Sequence, residues 1–228
     1  MLKFYFNASP NPTKIALFLE ESGLEYEAIP VDTRKGEQFH QDFVALNPNG
    51  KVPAIVDGDV TVFDSSAILL YLSEKTGKFG GTTGGFKARA ELLSWMMFVA
   101  SGVGPYSGQA VHFRHFAPKG LDYAVERYLF EARRHYGILD ARLSSRPYVL
   151  GDEYSIVDMA AWGWARAIPF VLGENAWEKF PHLKRWFDTV SARPAAKRAE
   201  ALKDRFEFKG GEMDEQTRRI MFPHTARA

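Results

Sequence analysis

The chain has 228 residues, 46% hydrophobic and 25% charged, which is typical of a globular protein of one or two domains. The formal charge of +1 argues against the polybasic surface of a nucleic-acid-binding protein. Cysteine is absent, so structural disulfides, zinc ribbons and a cysteine nucleophile are excluded, and any thiol chemistry must use a sulfur from another molecule. The apolar runs are shorter than the roughly 18 residues of a membrane span. Because the start also lacks an apolar signal region, we expect a cytoplasmic protein.

The first 80 residues predict a small α/β domain, residues 1–80. Apolar runs typical of strands lie at residues 2–6, 26–31, 52–56 and 60–63, with helical patterns at 15–22 and 65–75. The strand–helix–strand start predicts a parallel pair, and Asp57 with Gly58 between the last two runs predicts an antiparallel hairpin. We therefore expect a mixed, four-stranded sheet.

Glycines crowd residues 77–85 and predict a linker between domains. From Phe86 onward, apolar residues recur at helical spacing, which predicts an all-α domain over residues 86–228. The residues from Glu207 mix charges and glycines without a period, which predicts an irregular, mobile or loosely wrapped tail.

Two local patterns in the helical half predict where helices are interrupted or begin. Gly102, Gly104 and Pro105 interrupt one long helical pattern and predict a bend or short coil. Ser155 and Asp158 have the spacing of a capping box before an apolar helix, with Asp in the place of Glu. We interpret the capping box as a folding signal.

The turn after the first strand is the first candidate site. Asn11 fits the N-cap and Pro12 the first position of the following helix. Such a turn would direct free backbone N–H groups and the positive end of the helix dipole at a bound anion, with Ser9 beside it. The alternative is that Ser9 and Asn11 only cap the helix. Tyr5 is a rival polar group, but its place in an alternating strand predicts that it is packed or on the opposite face.

The segment NPNGKVPAIV, residues 47–56, is the second candidate site. The Val52–Pro53 bond directly before an apolar strand suggests an edge, a bulge or a cis peptide. With a cis bond, Val52 would turn its N–H and C=O outward, where they could pair with an extended peptide ligand. The alternative is a plain turn into the strand.

The segment FDSSAILLYL, residues 63–72, is the third candidate site. Asp64 and Ser65 precede an apolar helix, where side-chain and backbone N–H groups could hold a carboxylate and Asp64 an ammonium group. One α-amino acid end would satisfy both. Asp and Ser are also common helix caps, so capping alone is the alternative.

Other polar residues give weaker signals. His112 and His115 are three residues apart on a helical pattern, but no third metal ligand is evident nearby, so we expect no metal site. Arg127 in the run ERYLFEARR is typical of a surface ion-pair partner.

These three segments in this order, followed by a glycine-rich break and a helical half, resemble the cytosolic glutathione transferases over nearly the whole chain. The start YFNASPNPTKIALFLEE and the stretches KGEQFHQDFVALNPNGKVPAIV and GPYSGQAVHF are most similar to the bacterial Nu-class enzymes with disulfide-bond reductase activity and to the yeast nitrogen-regulator proteins. The resemblance implies a thioredoxin-like N-terminal domain, an all-α helical-bundle C-terminal domain and a homodimer.

The resemblance also implies a glutathione site. Ser9 and Asn11 match the positions that face the sulfur, and Arg127 matches an arginine that reaches the ligand across a dimer interface. The remaining positions that match glutathione contacts are Gln38, Lys51, Val52, Pro53, Asp64 and Ser65. The chain departs from the family pattern in having Ser rather than Thr at position 9 and Asp rather than Glu at position 64.

The implied activity is glutathione-dependent disulfide-bond reduction on a small disulfide, with glutathione and oxidised glutathione as ligands and no metal. A thiol with a pKa of about 8.5 is only a few per cent ionised at neutral pH, so hydrogen bonds from Ser9, Asn11 and the helix start would have to stabilise the thiolate. Two alternatives stay open. One is a weakly catalytic binding or regulatory protein of the same fold, and the other is a transferase that conjugates glutathione to small electrophiles, with Tyr106 and Phe113 in the second pocket.

Overall fold

The computed structural model of the chain describes residues 1–81 and 84–224. The predicted linker at 77–85 and the predicted tail from Glu207 therefore each include residues outside this range, 82–83 and 225–228 respectively.

The N-terminal domain is built on a mixed sheet, as predicted. Its strands are β1 (Leu2–Phe6), β2 (Tyr26–Pro30), β3 (Ala54–Asp57) and β4 (Val60–Phe63). Their order is β2-β1-β3-β4, with β1 parallel to β2 and β3 antiparallel to both of its neighbours. The predicted hairpin is present, but its turn residues are Gly58 and Asp59, because Asp57 ends β3 and pairs with Val60 of β4. Gly58 has a φ of 64°, which glycine adopts at no steric cost.

The side chains of β1 point alternately to the two faces of the sheet, and this decides which face packs on which helix. The domain's helices are α1 (Pro10–Ser22), α2 (Gln41–Leu46) and α3 (Ser65–Thr76). Leu2, Phe4 and Phe6 are buried in the main core with α1 and α3, whereas Tyr5 packs against Phe43 of α2 on the other face, with ring centroids 5.9 Å apart. Tyr5 is thus packed away from the first candidate site, as expected.

The start of α1 differs from the prediction. Ser9 is the N-cap residue and Pro10 opens the helix, so Asn11 lies inside the first turn rather than at the cap. A proline is favoured at the first helical position because its missing N–H is not needed there, and the sequence offers two prolines in that role. The structure uses the earlier one.

The C-terminal domain is helical, as predicted. Its helices are α4 (Gly85–Phe98), α5 (Gly104–Val111), α6 (Asp122–Leu143), α7 (Ile156–Ala165), α8 (Ile168–Leu172), α9 (Pro181–Ser191), α10 (Pro194–Ala201) and α11 (Glu215–Met221). Helix α1 packs against α7 and α10, so one continuous core joins the two domains. Within the described ranges, none of the helices has the length and apolar character needed to cross a membrane.

The short coil that was one of the two predictions for Gly102 and Gly104 is not found, because the chain stays helical there. A π-helical turn, Val99–Val103, joins α4 directly to α5. The glycines instead permit close packing: a Cβ at Gly102 would lie 2.5 Å from Nε2 of His135, and one at Gly104 would lie 2.9 Å from Nε1 of Trp164. Two helices therefore approach the α4–α5 tract too closely for any side chain.

The predicted capping box is present at the start of α7. Asp158 is fully buried and accepts from the Ser155 N–H and hydroxyl, both at 3.0 Å. Its other oxygen accepts from the Val149 N–H and from the Trp186 indole, both at 2.9 Å. Burial raises the pKa of Asp158, and these hydrogen bonds oppose the shift.

The tail is more ordered than predicted, because it contains α11 and packs on both domains. Phe206 and Phe208 each pack edge-on against Phe6. The Arg34 guanidinium donates to the carbonyls of Lys209 and Gly211, at 3.0–3.1 Å. These contacts fix the described part of the tail alongside the cleft described next.

Candidate functional site

A cleft of about 770 Å³ lies between the two domains. The first two candidate segments contribute Asn11, Asn49 and Lys51, and the third contributes Asp64, Ser65 and Ser66. The helical domain and the tail contribute mainly apolar and aromatic side chains, together with Gln109 and two histidines: Val99, Pro105, Gln109, His112, Phe113, Trp164, Met221, Phe222 and His224. One wall is therefore polar and the other mostly apolar, which suits a ligand with a peptide part and a variable partner.

Asn11 lines the cleft from the first turn of α1, and its orientation is fixed by Trp164 of α7. The Trp164 indole N–H donates to Asn11 Oδ1 at 3.0 Å. An indole N–H can only donate, so the amide oxygen must face it and the Nδ2 group must face away. Within the described ranges Nδ2 has no hydrogen-bond acceptor, so Asn11 can donate to a ligand.

Ser9 is placed differently. Its side chain is exposed and does not line the cleft. The Ser9 hydroxyl donates to Asn7 Oδ1 at 2.6 Å, and Asn7 in turn donates to Thr33. The structure therefore does not bring the two predicted sulfur-facing residues into the cleft together: Asn11 lines it and Ser9 does not.

The second candidate segment contains a cis peptide bond between Val52 and Pro53. The Val52 N–H and C=O have no partner in the described residues, so they are free to pair with an extended ligand. Lys51 is exposed and lines the cleft. Asn47, almost fully buried, holds this loop by donating to the Lys51 carbonyl and accepting from the Asn49 N–H.

Gln38 lies beside this segment rather than in the cleft. It is buried, and its Nε2 donates to the Thr33 carbonyl at 3.2 Å. Its Oε1 is buried and has no hydrogen-bond partner in the part of the chain that the structure describes, and its backbone carbonyl lies next to Gly50. Gln38 thus supports the loop that carries Lys51, but it does not line the cleft.

The third candidate segment caps α3. Asp64 Oδ1 accepts from the N–H groups of Ser66 and Ala67 at 2.8 and 3.1 Å, and Asp64 itself has a φ of 70°. Positive φ costs free energy for a residue with a side chain and is frequent at functional sites. The Ser65 N–H has no acceptor in the described part of the chain. Capping and ligand binding are therefore compatible, because Asp64 keeps a second oxygen and Ser65 keeps its N–H.

Arg127 lies on α6, away from its own cleft. Its guanidinium donates to Glu131 Oε1 at 2.6 Å, and Arg134 donates to the other carboxylate oxygen. Arg127 is exposed. Within one chain Arg127 is an ion-pair partner on the surface. It could contact a ligand only if that ligand were bound in the cleft of a second chain.

Some of the remaining predicted residues line the cleft and others do not. Phe113 and His112 line the cleft, whereas Tyr106 stacks on His135 and lies outside it. His115 stacks on Phe170. In the described residues, no group of three or more His, Cys, Asp or Glu side chains is arranged to hold a metal.

Several cleft residues had not been identified from the sequence. Trp164 and Lys14 lie in ordinary amphipathic helix patterns, which give no sign that their polar atoms face a cleft. Asn47 does not line the cleft but holds the loop that does, and this buried role has no local signature in the sequence. Met221 and Phe222 belong to the tail, which shows no periodicity strong enough to predict α11.

Comparisons with known proteins agree with this geometry. The chain matches the family model for the glutathione S-transferase N-terminal domain over residues 1–74 and the model for the glutathione S-transferase C-terminal domain over residues 105–194. It is 41% identical to the disulfide-bond oxidoreductase YfcG of Escherichia coli, over 87% of this chain and 94% of that one. Identity to a second protein of that organism, the disulfide-bond oxidoreductase YghU, is 38%, over 88% and 74% of the two chains.

Solved structures are similar over the same extent. A glutathione transferase family member from Pseudomonas fluorescens, with two glutathione molecules bound, has a TM-score of 0.83 and 35% identity over 87% of this chain and 92% of that one. A glutathione transferase from Pseudomonas putida, with one glutathione disulfide bound per subunit, has a TM-score of 0.82 and 32% identity over 87% and 90%.

Proposed function

This chain belongs to the glutathione S-transferase family, and we propose that it is a glutathione-dependent disulfide-bond reductase. The single observation that carries the proposal is the convergence of Asn11, Lys51, Asp64 and Ser65 on one cleft between the domains. The similarity to two disulfide-bond oxidoreductases and to structures with glutathione or its disulfide bound supports the same reaction.

Glutathione would lie along the polar wall. The free peptide groups of Val52 pair with the cysteinyl unit as an added strand would, and Asp64 with Ser65 hold the α-amino and α-carboxylate groups of the γ-glutamyl unit. Lys51 lies where the glycyl carboxylate would end. The sulfur then reaches the first turn of α1, where the helix dipole and the Asn11 amide favour negative charge.

The chemical step needs no group from the protein other than hydrogen-bond donors. The thiolate of the first glutathione attacks one sulfur of the substrate disulfide, a mixed disulfide forms, and the other substrate sulfur leaves as a thiolate that takes up a proton. A second glutathione thiolate then attacks the glutathione sulfur of the mixed disulfide and releases the second substrate thiol. In total, two glutathione molecules are oxidised to one disulfide and the substrate is reduced to two thiols.

Asn11 is the residue proposed to stabilise the first thiolate. A hydrogen bond to a charged acceptor stabilises it by about 1.5–3 kcal/mol, which lowers a thiol pKa by about one to two units. Ser9 was the second predicted donor, and its hydroxyl would first have to leave Asn7 Oδ1. We therefore assign the main contribution to Asn11 and the helix start.

A homodimer and a cytoplasmic location are part of the proposal. Helices α4 and α6 carry large exposed apolar side chains, Phe86, Met97, Tyr123 and Phe130, which would be covered in a dimer. Arg127 on the same α6 surface would then reach the partner's cleft. The cytoplasm is the compartment whose glutathione pool is kept reduced.

The test is reduction of 2-hydroxyethyl disulfide by glutathione, coupled to glutathione reductase. We expect turnover by the native chain and a loss of about tenfold to a hundredfold in kcat/KM for Asn11→Ala, with a smaller loss for Ser9→Ala. Tight binding of oxidised glutathione without turnover would instead favour a binding protein of this fold. Turnover with electrophiles but not with disulfides would favour a conjugating transferase.

A further inference from the structure

Lys14 is a buried lysine in the wall of the cleft. It lies on the second turn of α1 and is only 2% exposed, yet it lines the cleft beside Asp64 and Ser65. Lysine is almost never fully buried unless an anion pairs with it. The Lys14 ammonium has one hydrogen-bond partner in the described residues, the hydroxyl of Ser65, at 3.3 Å.

The packing around Lys14 determines where its side chain points. A Cβ at Gly163 of α7 would lie 2.5 Å from Lys14 Cγ and 2.6 Å from the Pro10 carbonyl oxygen. The backbone of α7 therefore presses on the aliphatic stem and holds it against α1. Because the stem is held there, the ammonium group extends to Ser65 at the start of α3.

Among the residues that the structure describes, Lys14 has no counter-ion within ion-pair distance. Asp64 is the facing carboxylate from the α3 side, but it forms no ion pair with Lys14 within 4.0 Å and uses one oxygen to cap α3. The neighbours from α7, Gly163 and Trp164, are uncharged. Burial lowers the pKa of Lys14 to about 7, and the charge of Asp64 only partly opposes this shift.

We propose that Lys14 is a further binding residue of this cleft, whose ammonium group pairs with the α-carboxylate of the γ-glutamyl unit beside Ser65 and takes up a proton as that carboxylate arrives. The inference rests on the proposed function, since it specifies how glutathione is held there. A zwitterionic α-amino acid end would then meet two opposite charges, Asp64 for its ammonium group and Lys14 for its carboxylate.

The sign of the pH dependence follows from this pairing. Below about pH 7, Lys14 already carries its proton in the empty cleft, so binding takes up none. Above pH 7 the empty cleft has lost that proton, and the ligand carboxylate restores it. Affinity therefore weakens as pH rises above 7, by up to about tenfold per pH unit, until the pH reaches the pKa of Lys14 in the complex.

Other titratable groups in the cleft do not produce this signal. The pKa of His112 is lowered by burial and by the charge of His224, so its proton is already lost well below about pH 8. Lys51 also lines the cleft, but unlike Lys14 it is exposed. The thiol of glutathione itself would release a proton, and this is avoided by using S-methylglutathione.

The test is calorimetric titration of the native protein with S-methylglutathione, in buffers with different ionisation enthalpies. The dependence of the heat on the buffer gives the number of protons taken up. We expect nearly one proton at about pH 8 and none at about pH 6. Uptake should disappear with an analogue whose γ-glutamyl α-carboxylate is an amide.

Two variants distinguish the contribution of Lys14 to proton uptake from that of the other residues in the cleft. Lys14→Met keeps the length of the stem, and we expect it to abolish uptake at about pH 8 and to weaken binding about tenfold to a hundredfold at about pH 6. Lys51→Met is the matched control, which should weaken binding but still take up the proton. Should Lys14→Met fail to fold, the calorimetric titrations of the native protein with S-methylglutathione and with the amide analogue are sufficient to test the proposal.

The outcomes distinguish this inference from the function on which it rests. Binding with no dependence on the buffer at about pH 8 would overturn the role of Lys14 and leave the glutathione site intact. Proton uptake that survives in Lys14→Met would overturn it as well. Absence of binding to every redox form of glutathione would remove the proposed function itself.

Discussion

The indole of Trp164 and the amide of Asn11 form a hydrogen bond across the domain boundary, 3.0 Å between Nε1 and Oδ1. The bond determines which end of the amide faces the cleft, because the indole cannot accept. A residue of the helical domain thereby orients the donor that the thioredoxin-like domain presents to the cleft.

Trp164→Phe removes this N–H and keeps an aromatic side chain at the position. We expect the Asn11 amide to rotate, the pKa of bound glutathione to rise by about one unit, and kcat/KM for disulfide reduction to fall about tenfold. Affinity for S-methylglutathione should change little, since that ligand has no thiolate. The measurement is a spectroscopic titration of the bound thiolate, with steady-state kinetics alongside.

Trp162→Phe is the matched control for this experiment. Its indole also donates to a side chain, Ser191 Oγ at 2.9 Å, but it lies on the core side of α7. Loss of that bond should reduce stability without moving the thiol titration. If Trp164→Phe left the thiol pKa unchanged, Asn11 would be oriented without the indole.

Asp64 has two roles that a pair of substitutions can separate. Asp64→Asn keeps an oxygen for the Ser66 and Ala67 N–H groups and tolerates the φ of 70°, but it loses the charge. We expect affinity for glutathione to fall by about tenfold or more with little change in Tm. Asp64→Ala should lose the affinity and also about 1 kcal/mol of stability, measured by denaturant unfolding.

Burial of Lys14 should lower the stability of the empty protein. The pKa of about 7 in the folded protein lies below the ordinary lysine value of 10.5. The unfolded chain therefore binds more protons between these pH values, and the free energy of unfolding rises with pH across that window. Lys14→Met removes the loss of folding stability that comes from burying the ammonium group, which is at most about 5 kcal/mol. We therefore expect a higher Tm than the native chain, with the largest gain at or below pH 7. A lower Tm for Lys14→Met at pH 7 would contradict this account.

Asp158 should be among the residues least tolerant of substitution. Asp158→Ala leaves four buried donors, from Val149, Ser155 and Trp186, without an acceptor. We expect a loss of about 3 kcal/mol or more in the free energy of unfolding. Asp188→Ala is the control, since its exposed ion pair with Lys184 should contribute less than about 1 kcal/mol.

The tail contacts predict a local effect on the cleft. Arg34→Ala removes the donors to the Lys209 and Gly211 carbonyls, and we expect faster amide hydrogen exchange over residues 206–221. Because Met221 and Phe222 line the apolar wall, KM for the disulfide should rise more than KM for glutathione. Arg219→Ala removes only an exposed ion pair on α11 and should change neither.

The sequence predicted the elements whose signals are local. Strands Leu2–Phe6 and Val60–Phe63 and helix Ser65–Thr76 agree with alternation or helical spacing to within a residue or so. The α1 start was misplaced because two prolines compete for the same position. A coil at Gly102 was a wrong alternative, because a glycine that permits close packing looks, in sequence, like one that ends a helix.

The candidate site could be predicted only where the contacts lie within one segment. Asp64 and Ser65 are adjacent in the chain, so their pattern is visible. The contact of Trp164 with Asn11 joins residues 153 positions apart, and that of Lys14 with Ser65 joins residues 51 apart. No periodicity or spacing rule connects such positions. The first contact forms only when the two domains pack together, and the second only when α1 and α3 pack together within the N-terminal domain.

The absence of a side chain at Gly163 limits how the two halves of the chain can be recombined. Its backbone fits against the Lys14 stem and the Pro10 carbonyl, so a chimaera that joined this N-terminal half to a helical half lacking that glycine would be wedged open at its seam. Such a chimaera would therefore need a glycine at the position of Gly163 to keep the native contact between the two halves.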